Sequence, residues 1–143
     1  MILVDVNLLL YATFETTKQH RATREWFEAQ LNGTSRVGLP WHSLLGFLRI
    51  STNPRGFTGA LTMDDAWNQV ASWIRCDPVW IPQPTERHGD VLASLLAGHG
   101  LYGNLVSDAH LAALAIEHGL TLCSTDGDFA RFRELKWLNP LTP

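Results

Sequence analysis

The 143-residue sequence lacks the features typical of secreted, membrane-bound or strongly basic proteins. It contains only Cys76 and Cys123, whose separation matches neither a zinc-ligand spacing nor a disulfide-rich scaffold. The net charge is −3, and the eleven Lys and Arg residues form no basic run of the kind that binds duplex nucleic acid. No stretch approaches the roughly 18 uninterrupted apolar residues of a membrane span. We therefore expect a cytoplasmic protein with reduced thiols, no signal peptide and no membrane anchor.

The sequence does contain enough apolar residues for a core, since 45% are hydrophobic, including six Trp and six Phe. At this length we predict one domain over residues 1–143. Short apolar runs predict strands at residues 2–5, 36–39, 79–81, 120–124 and 136–138. Helical periodicity predicts a turn at 8–11 and helices at 20–31, 40–52, 63–74, 86–97 and 104–118. Strands that alternate with helices predict an α/β fold, a parallel sheet sandwiched between helices.

Four aspartates occupy positions where such a fold binds ligands, beyond the carboxyl ends of the strands. Asp5 ends the first strand, Asp126 and Asp128 follow a later strand, and Asp108 lies early in the last long helix. Taken singly, three of them also have structural explanations. Asp5 could cap the following helix, Asp128 could cap a short turn, and Asp126 could form a turn with the next glycine.

Asp108 favours the functional interpretation, because it interrupts an otherwise apolar helical stripe and no Lys or Arg is near it in sequence. A buried carboxylate requires a partner. A hard divalent cation such as Mg²⁺ or Mn²⁺, held by carboxylate oxygens, would provide one. The same cation would neutralise the closely spaced Asp126 and Asp128.

Four sequence blocks resemble a known family over nearly the whole chain: VDVNLLLYA, FLRISTNPRGF, GNLVSDAHLAALAIEHG and STDGDFARF. They resemble the PIN domain and, within it, the VapC toxins of VapBC toxin–antitoxin modules. The resemblance implies a PIN-like fold and an Mg²⁺- or Mn²⁺-dependent endoribonuclease that cleaves RNA and is inhibited by a cognate antitoxin.

The resemblance also assigns the site residues. It places the first acid of the family at Asp5, the helix acid at Asp108 and the late acid at Asp126, with Asp128 as a supporting acid. Asp5, Asp108 and Asp126 would bind the metal. Asn7 would form hydrogen bonds around Asp5.

One position departs from the family pattern. Many members have a glutamate three residues before an arginine, whereas this chain has Gly46 before Arg49. An alternative function is therefore a catalytically weakened PIN domain that mainly binds RNA or its antitoxin. His42, one turn before Gly46, is a less favoured candidate base, and Arg49 and Arg55 are candidates for phosphate contact.

We also expect two protein partners. A groove between the helix at 20–31 and the helices after Pro40 would bind an amphipathic antitoxin helix, whose arginine would pair with the acidic site. Trp26, Trp67 and Trp73 are expected in the core or at a protein interface. A homodimer is also predicted.

A small phosphohydrolase is disfavoured as an alternative function. Such an enzyme would have a second aspartate two residues after its aspartyl nucleophile, whereas this sequence has Asn7 there.

Overall fold

The computed structural model describes residues 1–56 and 58–142 and contains a five-stranded sheet in the order β3-β2-β1-β4-β5. Its strands are β1 (Ile2–Val4), β2 (Val37–Gly38), β3 (Val79–Trp80), β4 (Thr121–Cys123) and β5 (Trp137–Leu138). Every pairing is parallel, which confirms the predicted sheet. Each strand is one or two residues shorter than predicted.

Six α-helices connect the strands within the described residues. They are α1 (Val6–Thr13), α2 (His20–Leu31), α3 (Trp41–Ser51), α4 (Met63–Ile74), α5 (His88–Leu96) and α6 (Asn104–His118). A 3₁₀ helix, Gly127–Arg131, follows β4. The helical turn predicted at 8–11 is part of the longer helix α1. Phe57, the last residue of the FLRISTNPRGF block, lies outside the described residues.

Local signals explain several helix ends. The Thr62 hydroxyl accepts a 3.1 Å hydrogen bond from the Asp65 backbone N–H at the start of α4. At the end of α6, Gly119 adopts φ 67°, a left-handed conformation that glycine reaches without strain. No helix in the described part of the chain is both long and apolar enough to cross a bilayer.

The core lies on both faces of the sheet, because alternate residues of a strand point to opposite sides. Val4 and Cys123 pack into the cluster beneath α1 to α4, which includes Trp73. Leu3 and Leu122 pack into the cluster beneath α5 and α6. The sheet is therefore covered on each face by helices, as predicted.

The strand order places a crevice between β1 and β4. From β1 the chain passes outward to β2 and β3, then returns across the opposite face through α5 and α6 to β4 on the other side of β1. In open α/β sheets, ligands bind at such a switch point, beyond the carboxyl ends of the strands. Asp5 directly follows β1, and Ser124 directly follows β4.

Candidate active site

Ser124 connects the residues that follow β1 with those that follow β4. Its hydroxyl donates a 2.7 Å hydrogen bond to Oδ2 of Asp5. Ser124 Oγ in turn accepts hydrogen bonds from Asn7 Nδ2 at 3.1 Å and from the Asp126 backbone N–H at 3.0 Å. A serine hydroxyl offers one donor and two acceptor positions, so this arrangement uses all of them.

The Ser124 bonds determine how Asn7 is oriented. Since the hydroxyl hydrogen is used on Asp5, Asn7 must present its NH₂ group to Ser124. Its buried Oδ1 then has no hydrogen-bond partner among the described residues. Asn7 therefore supports Asp5 through Ser124 and leaves an amide oxygen available to a further ligand.

Asp5 caps α1, as the structural explanation predicted. Its Oδ1 accepts a 2.8 Å hydrogen bond from the Val6 backbone N–H, and the residue is only 8% exposed. Burial raises the pKa of Asp5, while the bonds from Ser124 and Val6 oppose that rise by favouring the carboxylate. Negative charge on nearby Asp126 raises the pKa further.

Three of the four predicted acids form a close triad. Asp108, Asp126 and Asp128 can each place one carboxylate oxygen within 4.8 Å of the others. Asp108 comes from the second turn of α6, and the other two come from the segment after β4. The prediction that Asp128 caps the short turn is wrong, because Asp126 caps it by accepting a 2.9 Å bond from the Asp128 backbone N–H.

The triad is electrostatically unfavourable without a counter-charge. Burial is the main cause that raises the pKa of Asp108, and with the charges of Asp126, Asp5 and Asp128 it brings the pKa to about 6. Asp108 is half-buried rather than enclosed in the apolar stripe, and Arg131 lowers its pKa slightly. Sequence reasoning missed Arg131, because it is 23 residues from Asp108 and only the 3₁₀ helix brings it close.

The chemistry of these donors fits a hard divalent cation. Mg²⁺ and Mn²⁺ prefer oxygen ligands. The triad offers carboxylate oxygens, and Asn7 Oδ1 is an amide oxygen without a hydrogen-bond partner among the described residues. Asp5 lies outside the triad, and both of its oxygens already accept hydrogen bonds. Asp108 and Asp126 belong both to the predicted ligand set and to the triad, whereas the ligand role of Asp5 stays a prediction.

The fold and the site can be compared with known proteins. A model of the PIN domain matches residues 2–135. This chain belongs to the PIN domain family. The assignment confirms the resemblance found in the sequence.

Curated relatives place this PIN domain among the VapC proteins. It is 42% identical to "Ribonuclease VapC37" of Mycobacterium tuberculosis over 140 residues, which cover 98% of this chain and 97% of the relative. It is 40% identical to "Ribonuclease VapC33" of the same species over 141 residues, or 99% of both chains. The structure of VapBC-1 from nontypeable Haemophilus influenzae aligns with a TM-score of 0.70 at 17% identity, covering 99% of this chain and 100% of that one, which supports the fold.

Gly46, the position where the resemblance implied an acid, lies against the residue that follows Asp5. A Cβ atom added to Gly46 would lie 3.1 Å from Cγ2 of Val6, the residue after Asp5. Gly46, Val6, His42, Leu45 and Arg49 line a hollow of about 390 Å³. Sequence reasoning identified His42 and Arg49 singly but did not predict that they share a cavity.

Proposed function

We propose that this PIN domain is an Mg²⁺- or Mn²⁺-dependent endoribonuclease and the toxin of a type II toxin–antitoxin module, hydrolysing RNA phosphodiester bonds with a metal-activated water. The observation that carries the proposal is the convergence of Asp108, Asp126 and Asp128 beside Asp5 at the switch point of the sheet. The relatives named as VapC ribonucleases, at about 40% identity over the full chain, support the same activity.

In this proposal Asp5, Asp108 and Asp126 bind the cation, and Asp128 is a supporting acid. The bound cation would lower the pKa of a coordinated water and neutralise charge on the phosphate. Hydrogen bonds with backbone N–H groups orient one oxygen of Asp5 and one of Asp126 before any ligand arrives. Such preorganisation avoids a reorganisation cost during the reaction. Arg131, whose Nη2 lies 3.7 Å from Asp128 Oδ1, holds Asp128 near the site.

RNA cleavage by the purified chain tests the activity. The chain, freed of any partner, is incubated with RNA in Mn²⁺ and, separately, in excess chelator. We expect cleavage only with the cation and products that carry a 5′-phosphate and a 3′-hydroxyl. Asp5→Asn and Asp108→Asn should abolish cleavage, while Asp77→Asn, an exposed control between α4 and β3, should not. Full activity of the Asp108→Asn variant would contradict the assignment.

The alternative is a weakened PIN domain that binds RNA or antitoxin without efficient cleavage. Gly46 favours it, because the position of a family acid has no side chain. RNA binding without cleavage at any Mn²⁺ concentration would support this alternative. Hydrolysis of small phosphomonoesters would instead favour the phosphohydrolase, although Asn7 is bonded to Ser124 and has no carboxylate to offer.

We also propose that a VapB-like antitoxin is the partner. A groove of about 430 Å³ lies between α1, α2 and α4. The predicted groove lay between α2 and the helices after Pro40, of which α4 lines this one. Its apolar lining includes the partly exposed Leu31 above the buried Phe27 and Trp73. Arg24 and Glu28 lie at its rim, joined by a 2.8 Å ion pair. An amphipathic helix would place apolar side chains against this lining, where Leu31 is the most accessible large apolar residue. The comparison with VapBC-1 is consistent with such a partner.

The antitoxin proposal has a direct test. The protein is co-expressed with its adjacent genes, and we expect a small antitoxin encoded there to co-purify with it. Calorimetry should then show weaker Mn²⁺ binding by the complex, since an antitoxin arginine would pair with the acids. Equal Mn²⁺ affinity would refute arginine displacement while leaving steric inhibition intact. Homodimerisation, measured by light scattering, and cytoplasmic location remain predictions.

A further inference from the structure

The hollow beside Gly46 differs in charge from the acidic site. His42, Gly46 and Arg49 stand at i, i+4 and i+7 of α3 and therefore share one face of that helix. The other residues that line the hollow are Val6 and Leu45, so its described wall contains no carboxylate. His42 and Arg49 are both exposed to solvent. A cationic recess thus adjoins an anionic one.

Two contacts fix the hollow next to Asp5. Ser43 Oγ donates a 2.7 Å hydrogen bond to the Val4 carbonyl, which ties the first turn of α3 to the end of β1. Val6, which lines the hollow, donates its backbone N–H to Asp5. The charge of His42 also acts on the Asp5 carboxylate and lowers its pKa.

A chain of polar side chains supports His42 from behind. Its ring makes an edge contact with His110, with centroids 5.6 Å apart. His110 Nδ1 lies 3.0 Å from His88 Nε2, and His88 Nδ1 lies 2.8 Å from Glu117 Oε2. The Glu117 side chain is fully buried, and its other oxygen accepts a 2.7 Å bond from the Thr85 backbone N–H.

The contacts from His42 through His110 and His88 to Glu117 join α3 to α6 and α5, and the acidic site uses none of these side chains. Because a carboxylate only accepts hydrogen bonds, His88 carries its hydrogen on Nδ1, and the orientation of the His88 ring is fixed. His110 is fixed in turn by its bond to His88. His42 therefore packs against an ordered ring, although it is itself exposed.

We propose that His42 and Arg49 form a phosphate subsite that binds the RNA backbone next to the scissile bond, with Gly46 as its open floor. The proposal rests on RNA being the substrate of the proposed function. A guanidinium and an imidazole are strong donors to phosphate oxygens, and the hollow has room for one phosphate group. The glycine supplies space at this site, since a side chain there would press on Val6 and project into the recess.

RNA binding without cleavage tests the subsite. Binding of a labelled single-stranded RNA is measured by fluorescence anisotropy in a protein that carries Asp108→Asn. Added to that background, Arg49→Ala and His42→Ala should each weaken binding about tenfold, the effect of losing one charge-assisted contact. Arg49→Ala should also reduce the slope of log affinity against log salt by about 0.7. Gly46→Glu should weaken binding at least as much, because it fills the hollow and adds negative charge.

Arg75→Ala is the matched control. Arg75 is exposed and lies between α4 and the start of β3, at the opposite edge of the parallel sheet. If Arg49→Ala and His42→Ala weaken binding no more than this control, or if the Asp108→Asn protein binds no RNA, the subsite is wrong. RNA binding that depends on His42 and Arg49, without cleavage by the unmodified chain, would support the subsite and refute only the nuclease.

The supporting role of His110 is tested by a double-mutant cycle. His110→Ala should weaken RNA binding when His42 is present and have little further effect in the His42→Ala protein. A loss of the same size in both backgrounds would mean that His110 only stabilises the fold, and would remove the positioning role. Circular dichroism and urea unfolding of each variant establish that the compared proteins are folded.

Discussion

Replacing Asp108 with asparagine should stabilise the metal-free protein at pH 7.5. Burial of the half-buried carboxylate, together with the charges of Asp126, Asp5 and Asp128, raises its pKa to about 6 from an ordinary 3.8. Between these two values the folded protein binds more protons than the unfolded chain. Its unfolding free energy therefore falls as the pH rises from about 4 to 6, and stays lower above that range.

The size of the effect follows from the same difference in pKa. A change in the pKa of Asp108 from 3.8 to about 6 lowers the unfolding free energy by at most about 3 kcal/mol. Solvent reaches part of the Asp108 side chain and screens the repulsion, so we expect about 1–2 kcal/mol. Asparagine keeps the size of the side chain but cannot ionise. The variant should therefore recover that free energy at pH 7.5. It should show little gain at pH 4, where Asp108 is protonated in the folded protein and partly protonated in the unfolded chain.

Urea unfolding in excess chelator at the two pH values measures this difference. At pH 7.5 the Asp108→Asn protein should also melt about 3–6 °C higher than the unmodified chain. Asp77→Asn, which alters an exposed carboxylate away from the triad, should change neither quantity. Equal stability of the Asp108→Asn and unmodified proteins at pH 7.5, or an equal gain at both pH values, would refute the repulsion argument.

Adding Mn²⁺ should reverse the order of stability. A ligand that binds only the folded state stabilises it according to its concentration and affinity. The unmodified chain should gain stability as Mn²⁺ is titrated, whereas the Asp108→Asn variant should gain little. If both proteins respond equally, Asp108 does not bind the cation.

Three further changes probe the fold and the groove. Ser124→Ala should lower the unfolding free energy, measured by urea unfolding, by about 2–4 kcal/mol. It removes a hydrogen bond to buried Asp5 and leaves two donors, Asn7 Nδ2 and the Asp126 backbone N–H, unpaired. Glu117→Ala should cost about 2–3 kcal/mol in the same assay, since it leaves the Thr85 N–H and His88 without their acceptor. Leu31→Glu, in the groove wall, should prevent antitoxin co-purification while RNA cleavage by the free protein persists; intact co-purification would place the antitoxin elsewhere.

The sheet and the helix order could be predicted from sequence because their signals are local. Apolar runs marked the strands, and capping residues such as Thr62 and Gly119 marked helix ends. Asp5 and Asp126 were found because each follows a strand, and parallel strands bring their carboxyl ends to one edge of the sheet.

The partners of those acids could not be predicted, since each pairing depends on contacts distant in sequence. Ser124 is 119 residues from Asp5, and no periodicity links the two positions. His88 and Glu117 are 29 residues apart and meet only when α5 packs on α6. A serine directly after a strand and two residues before an aspartate was the one available signal for Ser124, and it is weak alone.

The structural and functional explanations of the acids are compatible. Asp5 caps α1 and Asp126 caps the 3₁₀ helix, yet each bond uses only one carboxylate oxygen. The backbone N–H of Val6 also favours the charged form of Asp5, which is the form that binds a cation. Asp108 accepts no such bond among those of the described residues, and its pKa rises to about 6. Capping therefore keeps Asp5 and Asp126 oriented. The Asp108 carboxylate is repelled by the neighbouring carboxylates, and a bound cation would reduce that repulsion.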